Sequence, residues 1–114
     1  MKKTKMLKKN YEFKIVLTKG KHYSGKYIEL YVKDNNIKYN LLGLAISKKI
    51  GKAVIRNYIK RIFRESYKEL ENEIKTGKSL VFLCKKKVDI KNIDFKNIQE
   101  DMNFIFDKAN LKIN

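Results

Sequence analysis

Arg56, Arg61 and Arg64, the only arginines in the chain, fall within nine consecutive residues, and the other 25 basic residues are all lysines. Lysine supplies a point charge, whereas arginine supplies a planar, permanently charged fork that pairs with phosphate through two parallel hydrogen bonds and stacks on rings. A chain that otherwise makes its positive charge from lysine has concentrated its best phosphate-reading side chains in Gly51-Lys52-Ala53-Val54-Ile55-Arg56-Asn57-Tyr58-Ile59-Lys60-Arg61-Ile62-Phe63-Arg64-Glu65. Two elements must position them: a basic loop, Lys48-Lys49-Ile50-Gly51, and a helix from about Ala53 to Lys75 that Thr76-Gly77 stops. On a wheel of about 100° per residue, Ile55, Ile59, Ile62, Phe63 and Leu70 span roughly 100°. Arg56, Asn57, Lys60, Arg61, Arg64 and Lys68 span roughly 140° on another side. One face is therefore free to pack and another to meet a ligand. A solvated helix surface is the plain alternative, but this stripe holds no acid; Glu69, Glu71 and Glu73 come later.

A second constellation lies in two predicted strands. From Tyr23 to Val32 the chain alternates, with Ile28, Leu30 and Val32 on one face and Tyr27, Glu29, Tyr31 and Lys33 on the other. Asp34-Asn35-Asn36 signals a turn, and a strand from about Tyr39 to Ser47 puts Leu42, Leu44 and Ile46 on one face and Gly43, Ala45 and Ser47 on the other. Flat rings beside small residues and a cation can stack unpaired bases, with Phe13 or Leu17 as an opposite wall. The same tyrosines can equally form cross-strand pairs or lie under a covering helix.

Around these, Asn10 is expected to cap a short helix carrying Phe13, Val16 and Leu17 that ends at Gly20. Leu80 to Cys84 is apolar throughout and belongs in the middle of a sheet. Asp94 opens a last helix with Ile98, Met102, Ile105, Phe106 and Ala109 at helical spacing. Residues 1–8 read as a disordered basic tail, and the whole as one domain, 1–114. Cys84, the sole cysteine, is expected buried in its strand, and His22, the sole histidine, at the surface or in a loop.

Charge is uneven. Residues 1–68 hold 19 Lys/Arg against 4 Asp/Glu, and residues 69–114 hold 9 against 8. A one-sided field of this kind suggests a polyanionic partner, nucleic acid first and an anionic membrane surface second. No apolar run approaches the roughly 20 residues needed to cross a bilayer, and the basic N-terminus lacks the apolar stretch of a secretory signal. The four acids of the basic part, Glu12, Glu29, Asp34 and Glu65, are spread apart, so neither a carboxylate metal cluster nor a histidine acid–base pair is available for a protein-based nuclease.

The run Leu44-Ala45-Ile46-Ser47-Lys48-Lys49-Ile50-Gly51 together with Ala53-Val54, Arg56-Asn57 and Lys60-Arg61-Ile62-Phe63-Arg64 resembles the signature of the bacterial ribonuclease P protein subunit. The likeness extends forward to Leu7-Lys8-Lys9-Asn10-Tyr11-Glu12-Phe13 and back to the strand at Leu80, about 100 residues. It implies an α/β (α+β) two-layer sandwich, with a central mixed sheet of about four strands, three helices and a left-handed βαβ crossover around the long basic helix. It also implies a cytoplasmic RNA-binding subunit of a ribonucleoprotein endoribonuclease that matures the 5′ end of tRNA. Its partners would be the catalytic RNA and the 5′ leader of precursor tRNA, with no membrane and no obligate protein partner; Mg2+ would be held by the RNA and none tightly by the protein.

By the same resemblance Arg56, Asn57, Lys60, Arg61 and Arg64, with Lys48 and Lys49 in the preceding loop, face RNA, and no residue of the protein is catalytic; Lys52 and Lys68 of the same basic segment are added to that face. Phe13 and Tyr31 match aromatic positions of the leader cleft, to which Leu17, Tyr27 and Lys33 are added. Two positions depart from the pattern. Tyr58 replaces a usual arginine, losing a phosphate contact or trading it for a stack, and Leu17 replaces a frequent aromatic, weakening the cleft wall. A structural RNA-binding protein without a processing role is the alternative.

Overall fold

The structure, a computed structural model, describes residues 1–113. The alternating segments pair into one mixed sheet built from β1 (Thr4–Met6), β2 (Lys21–Ser24), β3 (Ile28–Asp34), β4 (Asn40–Ala45) and β5 (Lys78–Cys84), in the order β1-β4-β5-β3-β2. β4 and β5 are parallel neighbours, which requires the long crossover that α2 (Ala53–Leu70) supplies. β3 runs antiparallel to β5, so the apolar Leu80–Cys84 run has a partner on either side, as expected.

The two sheet faces follow the predicted alternation. Ile28 and Leu30, Leu42 and Leu44, and Leu80 and Phe82 meet α2 and α3 (Phe95–Lys108) in the main core. Ile59, Ile62, Phe63, Tyr67 and Leu70 come to it from α2, and Ile98, Met102, Ile105 and Phe106 from α3. The opposite face, with Tyr31, Leu41, Ala45, Val81 and Leu83, meets Phe13, Val16 and Leu17 of α1 (Asn10–Lys19). Gly43 is needed there because a Cβ would lie 2.6 Å from Cε2 of Phe13. Gly20 ends α1 for a similar reason: a Cβ would stand 2.9 Å from the Val32 carbonyl oxygen.

Five expectations need correction. The segment read as a disordered tail contains β1, paired in parallel with β4. Distant side chains hold it: the Thr4 hydroxyl bonds to that of Tyr67 at 2.6 Å, and the Glu71 carboxylate accepts from the Lys2 and Lys3 amides, both at 3.2 Å. The single strand from Tyr23 to Val32 is instead a hairpin, which raises the count to five. Buried Asp101 accepts from the amides of Lys26, Tyr27 and Ile28 at 2.7, 2.8 and 2.9 Å, and Gly25 leaves room for its carboxylate. Lys9, not Asn10, occupies the cap position of α1, where the Glu12 carboxylate reaches back to the Lys9 amide at 3.0 Å. β4 stops at Ala45, and α2 stops at Leu70, followed by a 3₁₀ turn at Glu71–Glu73 that turns the Glu71 carboxylate toward the N-terminal segment. Asp94 does cap α3, accepting from the Asn97 amide at 2.8 Å.

Candidate nucleic-acid interface

The approach to α2 is built from local hydrogen bonds. Ser47 leaves β4 and its hydroxyl accepts from the Lys49 amide at 3.2 Å, setting the 3₁₀ turn Lys48–Ile50. Lys52 occupies the cap position without a side-chain acceptor, and no acid lies in the first turn. The first amides and the positive end of the helix dipole therefore add to the charge of Lys48, Lys49 and Lys52. Arg56 turns back and donates to the Gly51 carbonyl at 2.9 Å, so part of its guanidinium braces the loop.

Beyond the first turn the basic stripe is as the wheel predicted. Ile59, Ile62 and Phe63 are buried, Asn57, Arg61 and Lys68 are exposed, and Lys60 and Arg64 are half-buried. The ion pairs among the described residues are His22–Glu29, Lys78–Asp34 and Lys112–Asp107, and none involves the stripe or its loop. Eight cations stand together without a carboxylate partner. Tyr58 has a different task from a phosphate contact: its hydroxyl donates to the Ile93 carbonyl at 3.1 Å, tying α2 to the loop before α3. The Arg61 guanidinium lies 5.6 Å from the centre of the Tyr58 ring, so the ring also steadies an arginine of the stripe.

On the far side of the sheet, α1 and the strands leave a cleft. Leu7, Val16 and Val81 are its buried floor, and Phe13, Leu17, Tyr31 and Ala45 are half-exposed around it. The His22 ring lies against Tyr31, with centroids 4.7 Å apart and planes inclined by 37°, while its Nε2 is 3.4 Å from Glu29. A groove of about 410 Å³ continues past Glu29, Ala45, Ser47 and Leu83 to Lys86 and Lys87.

Of the expected cleft residues, Tyr27 is elsewhere and Lys33 lies further along the floor than the rings. Tyr27 precedes β3, and the turn around Asp101 breaks the alternation, sending its ring into the main core beneath the Lys26 ammonium at 5.4 Å. Lys33 shares a face with Tyr31 and lines a hollow with Leu7, Val16 and Leu41, where it pairs with Ser79 and its ammonium donates to the Asp34 carbonyl at 3.3 Å. Conversely, sequence reading missed His22 and Lys85–Lys87 as neighbours of the cleft. The signal was three successive lysines directly after a central strand. The parallel register Ala45↔Leu83 brings them beside Ser47. At Cys84, burial pushes the thiol up to about 11, leaving an inert strand residue. Among the described residues, no three His, Cys, Asp or Glu side chains gather as metal ligands, and no helix is long and apolar enough to cross a membrane.

Comparison with known proteins supplies the context for this geometry. A family model described as Ribonuclease P matches residues 1–110. The ribonuclease P protein component of Clostridium botulinum (strain 657 / Type Ba4) is 40% identical over 110 residues, covering 96% of this chain and 97% of that protein. That of Thermoanaerobacter sp. (strain X514) is 38% identical over 105 residues, covering 92% and 89%. Among solved structures, the Staphylococcus aureus RNase P protein superimposes with a TM-score of 0.82 at 29% identity, covering 94% of this chain and 96% of that one. The RNase P protein from Thermotoga maritima gives 0.80 at 27% identity, covering 89% and 94%.

Proposed function

The chain belongs to the ribonuclease P protein family, an RNA-binding subunit of the endonuclease that matures tRNA 5′ ends, and on that premise we propose how its two surfaces divide the work. The stripe of α2 with Lys48, Lys49 and Lys52 binds the phosphate backbone of the catalytic RNA. The cleft holds the single-stranded 5′ leader of precursor tRNA, with Tyr31 and Phe13 stacking on bases and Leu17 completing the wall. The observation that supports this reading is the set of cations on and before α2 with no carboxylate partner among the described residues, following the C-terminal end of β4 where the groove beside the cleft runs.

The bond cleaved is a phosphodiester, and catalysis in this reading belongs to the RNA. The donor set on α2 is lysine, arginine and one asparagine, which repels a divalent cation, so the protein's RNA face does not fit a magnesium ion and the metal is assigned to RNA. The protein's share is binding energy: it extends the contact surface onto the leader and screens repulsion between two polyanions. In this setting the chain works in the cytoplasm.

The test is cleavage of precursor tRNA at low magnesium by a bacterial ribonuclease P RNA, with and without this protein, beside a protein-only control. Cleavage that needs both components supports the reading. Cleavage by the protein alone would assign the chemistry to this chain and sink it.

A further inference from the structure

β5 has two ends, and Lys78 at its start is roughly 23 Å from Lys85 at about 3.3 Å per residue. The start lies in a groove of about 430 Å³ where the end of α1, the start of β2, the end of β3 and the segment after α3 converge. Five lysines line it: Lys19, Lys21, Lys33, Lys75 and Lys78. Asp34 is the only acid among the lining residues, and Lys78 already engages it at 2.6 Å. The hydrogen bond and charge of Lys78, with smaller contributions from Lys33 and Lys21, hold the Asp34 carboxyl below its usual range. Lys75 is held at the rim by the Asn110 carbonyl at 3.1 Å. Lys19, Lys21, Lys33 and Lys75 thus line one concavity, and none of them forms an ion pair among the described residues.

Lysine side chains outnumber the single acid around this groove and line it beside an apolar backing of Val32 and Leu111, so its field is positive and the concave wall focuses it. We propose that this groove is a second anion site, distinct from α2 and from the Phe13 and Tyr31 rings, that takes two adjoining phosphate groups. Point charges without an arginine fork suit phosphoryl oxygens rather than a planar carboxylate. Tyr23 is half-buried with its ring against the main core, so the groove reads charge and not bases. The phosphates can come from an RNA backbone or from a free di- or polyphosphate.

The test titrates inorganic pyrophosphate into the free protein and follows the backbone amides of Tyr23 and Asn110 by NMR. Three proteins are compared: the native chain, K19Q/K21Q/K75Q, and the charge-matched control K91Q/K96Q/K108Q. Saturable shifts in the native and control proteins, weakened at least tenfold in the groove variant, are expected; equal binding by all three, or equal loss in both variants, overturns the site. K19Q/K21Q replaces the triple variant if the latter fails to fold. A parallel measurement of the salt dependence of affinity for ribonuclease P RNA separates the sources. A log–log slope lowered by about one unit or more relative to the control identifies RNA phosphates. An unchanged slope with lost pyrophosphate binding identifies a free polyphosphate. The pyrophosphate arm contains no RNA, so its failure is distinct from failure of the proposed function.

Discussion

The two faces of the sheet contain similar residue types and finish them differently. Toward α2 and α3, Phe63, Tyr67, Phe82 and Phe106 form a fully buried cluster of edge-on and tilted rings, with centroids 6.0 to 6.4 Å apart. Toward α1, the buried apolar side chains among the described residues are Leu7, Val16 and Val81, and the rings of Phe13 and Tyr31 remain half-exposed. One face is covered by two helices of 18 and 14 residues, the other by a single helix of 10. Aromatic area left uncovered beside small residues costs stability that the buried face must supply. The comparison teaches that the packed core and the half-exposed rings lie on opposite faces of one sheet.

Four substitutions test that separation. Phe82→Ala removes the ring shared by the buried cluster and is expected to cost about 3–5 kcal/mol in chemical denaturation; a loss below about 1 kcal/mol would mean that this face is not the principal core. Asp101→Ala orphans the three amides of the β2–β3 turn and should cost about 2–3 kcal/mol, with faster hydrogen exchange at Lys26, Tyr27 and Ile28. Tyr31→Ala, on the open face, should leave unfolding nearly unchanged while removing roughly 1–3 kcal/mol of leader-dependent affinity. Equal loss with leaderless tRNA would show that the cleft does not read the leader. Arg64→Ala is expected to weaken RNA binding and lower the salt slope by up to about one unit, for leadered and leaderless tRNA alike; a leader-dependent effect would merge the two surfaces.

Period and composition made the long elements legible. The wheel of α2, the parity of β3 and β4, the central place of Leu80–Cys84 and the Asp94 cap depend on neighbours within one or two turns, and local spacing records them. The corrected features depend on partners far along the chain. β1 exists because Tyr67 and Glu71 hold it, and the hairpin breaks where Asp101, more than 70 residues away, gathers three amides. Alternation carried through that break puts Tyr27 on the wrong face.

The sequence by itself determined that a basic helix face without acids follows a small-residue strand, and its motif pointed to the family that the comparisons confirm. Which cations share a surface was decided by tertiary structure. Parallel pairing of β4 with β5 brings Lys85–Lys87 beside Ser47, at the start of the basic loop, while the antiparallel run of β3 places Lys33 with Lys21 and Lys75. A charge run has no periodicity that encodes its partner, because lysines on solvated surface satisfy any register; only the buried side chains choose the register, and the surface charges follow it.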